Sequence, residues 1–272
     1  MAPAAMSDDR EKFAVLRAGT RFWAVAAIHG EAERLMRLHD LLAPRLVDGD
    51  RLVYLGNLIG HGTRIAETMD ELLRFRIGFL ARPRVFAADV AYLRGNQEEM
   101  WDKLLQLQFA PSPPEVLGWM LRQGLEGTLA AYGSSTAEAM GVARQGAVAI
   151  SRWTGQLRAR MQAHGGHARL LSGLKRAAYS EAGGLLFVNA GIDPARPLTA
   201  QSDSFWWGGG SFGRIASPYA GFTRVVRGFD PSHGGAAEGE FTATIDAGCG
   251  FGGPLAAACF DEQGALLDWI EA

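Results

Sequence analysis

A chain of 272 residues, 48% of them apolar, can bury a sizeable core. Its 27 basic and 29 acidic side chains leave a net charge of −2, which excludes a general electrostatic footprint for nucleic acid or an anionic membrane. Two cysteines, Cys249 and Cys259, exclude a disulfide scaffold and lack zinc-ligand spacing, so both are expected as buried thiols.

Residues 1–20 are expected to lack regular structure, because the first ten, MAPAAMSDDR, are polar. They show no basic start followed by an apolar stretch, and no run reaches the roughly 18 apolar residues of a membrane span. A cytoplasmic protein is the expectation. Residues 21–28, RFWAVAAI, read as a buried strand closed by His29 and Gly30. Residues 31–42 follow at helical spacing. Residues 51–55, RLVYL, form a second strand, 64–78 a second helix and 90–94 a third strand ended by Gly95 and Asn96. Strand, glycine turn and helix in alternation predict an α/β fold with parallel strands and ligands at their C-terminal ends.

From about 98 to 175 the pattern predicts a helical insert. Pro111, Pro113 and Pro114 break its first helix, and a longer helix is expected over 136–161. Residues 184–190 read as a strand, and 208–213 as a glycine-rich loop beside Trp206 and Trp207, which are expected to pack beneath it. Short strands over 222–227, 241–246, 255–260 and 266–270 suggest an antiparallel meander. His164 and His167 lie close enough in sequence to share a metal, though one histidine pair is a weak signal.

Four strand-end segments carry a recognisable set: WAVAAIHG at 23–30, DRLVYLGNLIGHG at 50–62, YLRGNQEE at 92–99 and FVNAGIDP at 187–194. Together they resemble the calcineurin-like metallophosphoesterases, whose motifs run GDxHG, GDxxDRG, GNHE, VHAG and then GH. The resemblance is to the small bacterial serine/threonine phosphatases and symmetrical dinucleoside tetraphosphatases, and extends to segments 119–133, 193–201 and 245–255. It implies a two-sheet β-sandwich flanked by helices, forming one domain over 21–272 with the insert inside it. In that family two divalent ions (Mn, Fe or Zn) are held by six side chains.

The catalytic positions depart from the family pattern. By motif alignment Ala27 stands where the first aspartate belongs, Asn57 where the bridging aspartate belongs and Asn189 where the VHAG histidine belongs. Phe229, in VVRGFDP, best occupies the last histidine position. Only His29 and Asn96 are kept among the six. Gln97 replaces the leaving-group acid, Gly60 the aspartate that orients it, and His61 the phosphate-binding arginine. Two ions some 3.5–4 Å apart need anionic ligands, and this set has lost both carboxylates. Gln97 does not titrate and cannot act as a general acid.

No metal cofactor is therefore expected. The reading is a catalytically inactive relative that binds a protein partner or a phosphorylated or nucleotide ligand. The alternative is an active phosphoesterase with a remodelled site, one metal held by His29, Asn96 and His61. His29, His61, Arg94 and Asn96 are the ligand-binding candidates. Against that stand plainer readings: His29 as a strand-end histidine bonded to a neighbour, and Asn96 as a turn residue. Phe229 and Ala27 are expected to fill the site, with Asn57, Asn96, Gln97 and Asn189 pairing through their amides.

Overall fold

The computed structural model describes residues 12–272. Residues 1–11 lie outside the described residues, so the expectation for them stays untested. The expectation for 13–20 is corrected at its start: Phe13–Leu16 forms strand β1, paired in parallel with β5 (Ala177–Ser180). Phe13 and Leu16 are buried there, which is the burial that orders this short stretch.

Two sheets build the sandwich. One holds β2 (Phe22–Val25), β3 (Arg51–Tyr54) and β4 (Val90–Tyr92), all parallel as expected. All four residues of β2 and of β3 are buried, as a strand covered on both faces requires. Helices α1 (Ala32–Leu42) and α2 (Ile65–Leu80) connect them, burying Leu35, Leu38 and Leu42 on one and Met69, Leu72 and Phe75 on the other. The sheet is completed by β10 (Ala256–Phe260), antiparallel to β2, and β11 (Leu266–Glu271), giving the order β11-β10-β2-β3-β4.

The second sheet runs β1-β5-β6-β7-β9-β8, with β6 at Leu185–Val188, β7 at Arg224–Arg227, β8 at Ala237–Glu238 and β9 at Thr242–Thr244. The expected meander is corrected here. β6, β7 and β9 pair in parallel, and β10 leaves for the other sheet. Only β8–β9 and β10–β11 are antiparallel neighbours within that stretch. The long connection 228–241 lets the chain cross back past the end of β7 before β9 begins, which a tight hairpin turn does not allow.

The insert runs from α3 (Asn96–Leu104) through α4 (Pro113–Met120), α5 (Glu126–Ala131), α6 (Thr136–Ala143) and α7 (Ala147–Ala163) to α8 (His167–Ser172). The single helix expected over 136–161 is two, because Gly146 takes φ +93° between them. The expected loop at 208–213 is also corrected: α9 (Ser204–Trp207) and α10 (Gly209–Phe212) are short helices. Trp206 is buried as expected, whereas Trp207 stays 41% exposed against Trp119, with ring centroids 5.7 Å apart. Among the described residues no helix is long and apolar enough to cross a membrane. Both cysteines are buried, and burial pushes each thiol up to about 12.

Candidate functional site

The ends of β2, β3, β4, β6 and β7 converge, and backbone hydrogen bonds tie their loops together. His29 donates its N–H to the Asn57 carbonyl at 2.7 Å, and Ala27 donates to Gly228 at 2.9 Å. Gly228 and Phe229 both donate to the Asn189 carbonyl, at 3.1 and 3.0 Å. Three of the four strand-end segments, with the loop that carries Phe229, therefore meet at one place, and the fourth is joined to them through Glu98. His29 and Asn57 take positive φ, +53° and +50°, at the two strand ends. Gly95 is required beside them, because a Cβ there would collide with the Asn57 side chain.

Glu98 clasps two of these loops. Its carboxylate accepts the N–H groups of Asn57 (3.0 Å), Ile59 (3.1 Å) and Gly95 (2.7 Å). Burial raises its pKa against the pull of those bonds. Truncating it would leave three buried N–H groups unpaired, at about 1–3 kcal/mol each. We expect Glu98→Ala to lower the urea midpoint by at least the equivalent of about 3 kcal/mol, and Glu98→Gln to lose less. Equal stability of Glu98→Ala and wild type would show that the clasp carries no load.

Inside the ring of loops the contents are apolar and aromatic. Ala27, Ala190 and Phe229 form a buried cluster of their own. The His29 ring meets Phe229 at 5.3 Å, His61 at 5.2 Å and Phe251 at 5.2 Å, edge to face in each case. His61 packs on Phe251 at 4.5 Å, and His233 packs on Phe251 at 4.2 Å. Burial, with His61 and His233 nearby, holds the His29 imidazole down to about 3, so it is neutral. His61 is shifted down by burial and by His233.

The insert completes the wall. The run between α4 and α5 breaks at Gly124, with φ +95°, and a side chain there would strike the His61 ring. The Gln97 amide donates to the Gln123 carbonyl of this bend at 2.7 Å. Gly60 is equally constrained: a Cβ would come within 2.8 Å of the Gln97 side chain and 3.0 Å of His29 Nδ1.

Phe229 and Ala27 fill the site as expected, but the polar residues do not pair as expected. Gln97 donates its backbone N–H to Asn57 Oδ1 at 3.2 Å, and the Asn189 amide donates to the Leu55 carbonyl at 2.7 Å. Both His29 nitrogens, Asn57 Nδ2, Asn96 Oδ1, Gln97 Oε1 and Asn189 Oδ1 are buried without a protein partner. His29 is thus not bonded to a neighbour through its ring, and Asn96 opens α3 rather than sitting in a turn. The reason lies in the loop backbones: Asn57, Gln97 and Asn189 each commit one end of the amide to a backbone N–H or carbonyl.

Arg94 lies apart from these residues. Its guanidinium is held by Glu99 at 2.9 Å and Asp102 at 2.7 Å and lines a separate cleft with Trp206. His164 and His167 stack at 4.8 Å, but the His167 nitrogens are taken by Tyr132 and Asp70, so the pair is not poised for a metal. Phe251, His233 and Gln123 are site residues that motif matching missed. A detectable signal existed for Phe251: it is the one bulky side chain in a run of glycines.

The two-ion centre implied by this fold does not fit the residues present. Phe229 offers no lone pair, and Ala27 offers none. The remaining donors are neutral amides and imidazoles. Among the described residues no group of three or more His, Cys, Asp or Glu side chains is placed to hold a metal.

The fold is that of the calcineurin-like metallophosphoesterases. A solved structure described as a putative diadenosine tetraphosphatase matches with a TM-score of 0.54 and 17% identity, covering 96% of this chain and 98% of that one. A protein serine/threonine phosphatase from Saccharomyces cerevisiae matches with a TM-score of 0.54 and 11% identity, covering 97% and 85%. No family model matches the sequence, and no curated protein matches it. The likeness is therefore one of fold.

Proposed function

We propose that this chain is a phosphoesterase-fold protein that acts by binding and does not hydrolyse phosphate esters. The observation that carries the reading is the buried Ala27–Ala190–Phe229 cluster, in which Ala27 and Phe229 stand at positions the family uses for metal ligands. A hydrolase of this fold draws its nucleophile and its charge neutralisation from two bound ions. Here a ring and a methyl stand in two of the ligand positions, and Gln97 stands where an acid is needed. The ligand in this reading is a protein partner, or a phosphorylated or nucleotide molecule retained uncleaved, in the cytoplasm.

We expect the purified protein to carry less than one equivalent of Mn, Fe, Zn or Co by elemental analysis. Added Mn²⁺ should neither raise its melting temperature nor give turnover of aryl phosphates, phosphopeptides or dinucleoside tetraphosphates. Turnover that His29→Ala abolishes would overturn the reading.

One observation favours an active site remodelled around a single ion. Asn96 Oδ1, Gln97 Oε1, Asn189 Oδ1 and the His29 ring carry lone pairs with no protein donor. One imidazole and three uncharged amide oxygens are a weak donor set for a divalent ion, which ranks this reading second. Stoichiometric metal lost on His29→Ala would establish it.

A further inference from the structure

Away from the strand-end site, a cleft of about 1000 Å³ opens between the two sheet edges, α2 and α8. Strands β1 and β4 are both edge strands, and residues of both line it. Its width comes from small side chains: Ala87, Ala88 and Ala91 on one side, and the glycines before α8 on the other. Gly166 takes φ +93°, and a Cβ there would meet Leu73 of α2 at 2.9 Å, so the wall depends on glycine.

The charges on this cleft are unbalanced. Arg76 and Arg169 line it, and neither has an ion pair or side-chain hydrogen bond among the described residues. Arg17 lines it too but is held by Asp89 at 2.6 Å. The lining contains one acid, Glu181, which accepts the Ala18 N–H at 3.0 Å. Arg76 sits close enough to Tyr92, on the β4 side, to be felt by its hydroxyl. Two unneutralised guanidiniums over an apolar floor are a recognition pattern for an anionic head on an apolar body. The volume lies at the upper end of the range for small-molecule sites.

We propose that this cleft binds a small organic anion: a carboxylate or phosphate carried on an apolar or aromatic body. The site is separate from the strand-end loops, and the proposal stands whether or not those loops bind a ligand.

The test uses the full chain and anilinonaphthalene sulfonate, an aromatic anion whose fluorescence rises on binding. We expect saturable binding at one site, weakened about tenfold or more by the double variant Arg76→Gln/Arg169→Gln with an unchanged melting temperature. Leu170→Trp, which fills the cleft from α8, should abolish binding. Octanoate and adenosine monophosphate are then used as competitors, to distinguish an aliphatic from an aromatic body. Displacement by either supports the proposal, whereas displacement by inorganic phosphate alone at equal concentration reduces the cleft to a charge patch and overturns it. Absence of saturable binding, or binding indifferent to the arginine variant and to Leu170→Trp, also overturns it. The competition on wild type stands even if a variant fails to fold.

Discussion

Replacing Ala27 by Asp is expected to cost about 3–5 kcal/mol of folding stability at neutral pH, the penalty of a buried charge left without a partner. Ala27 is fully buried, and its cluster neighbours are Ala190 and the Phe229 ring. None offers a hydrogen-bond donor from its side chain. The fold survives such a loss if its total stability exceeds it, as it does over most of the roughly 5–15 kcal/mol typical of domains. The measurement is urea unfolding of wild type and Ala27→Asp, each with and without Mn²⁺. We expect the loss to persist in Mn²⁺, because Phe229 still blocks a ligand position. A variant that Mn²⁺ restores to wild-type stability would show that the metal centre needs only one carboxylate, and would overturn the binding-only reading.

Acidification is expected to destabilise the protein well above the range where carboxylates titrate. His29 is fully buried, and its folded pKa is held down to about 3 from an unfolded value near 6.5. Between those values the unfolded chain binds a proton that the folded chain refuses. Stability therefore falls as pH drops from 6.5 towards 3, at a limiting slope of about 1.4 kcal/mol per pH unit for this residue. The full window amounts to about 3–5 kcal/mol. Buried His39 and half-buried His61 are shifted the same way and add to the slope. His29→Asn keeps a residue tolerant of positive φ and removes the titrating ring. Chemical unfolding at pH 7.5, 6, 5 and 4 should show a shallower acid slope in that variant. An identical slope in both proteins would mean that His29 is protonated in the fold.

Where each residue type answers to a local rule, the sequence was readable. The parallel β2, β3 and β4 followed from apolar runs that end in Gly30, Gly56 and Gly95, and the break before α4 followed from Pro111, Pro113 and Pro114. Strand β1 was hidden because its order comes from pairing with β5, more than a hundred residues away. The meander failed for a related reason: β7, β9 and β10 have strand-like composition, but nothing local says which sheet each joins. At the site, the motifs located Ala27, His29, Asn57, Asn96, Gln97, Asn189 and Phe229 correctly as neighbours in space. They could not show where each amide turns, because that is settled by carbonyls such as those of Leu55 and Gln123. Nor could they show that the Arg94 side chain is held by Glu99 and Asp102 and lines another cleft.

The positive φ at His29 and Asn57 carries a lesson for engineering. Backbone held away from the common regions costs on the order of 1–3 kcal/mol per residue and persists only where the surroundings over-determine it. In this chain it stands together with the glycines that let the loops touch, around the apolar Ala27 and Phe229. A library that varies only Ala27, Asn57, Gln97, Asn189 and Phe229 would thus search side-chain chemistry on one fixed loop backbone, and would ask how few substitutions change what this site can bind.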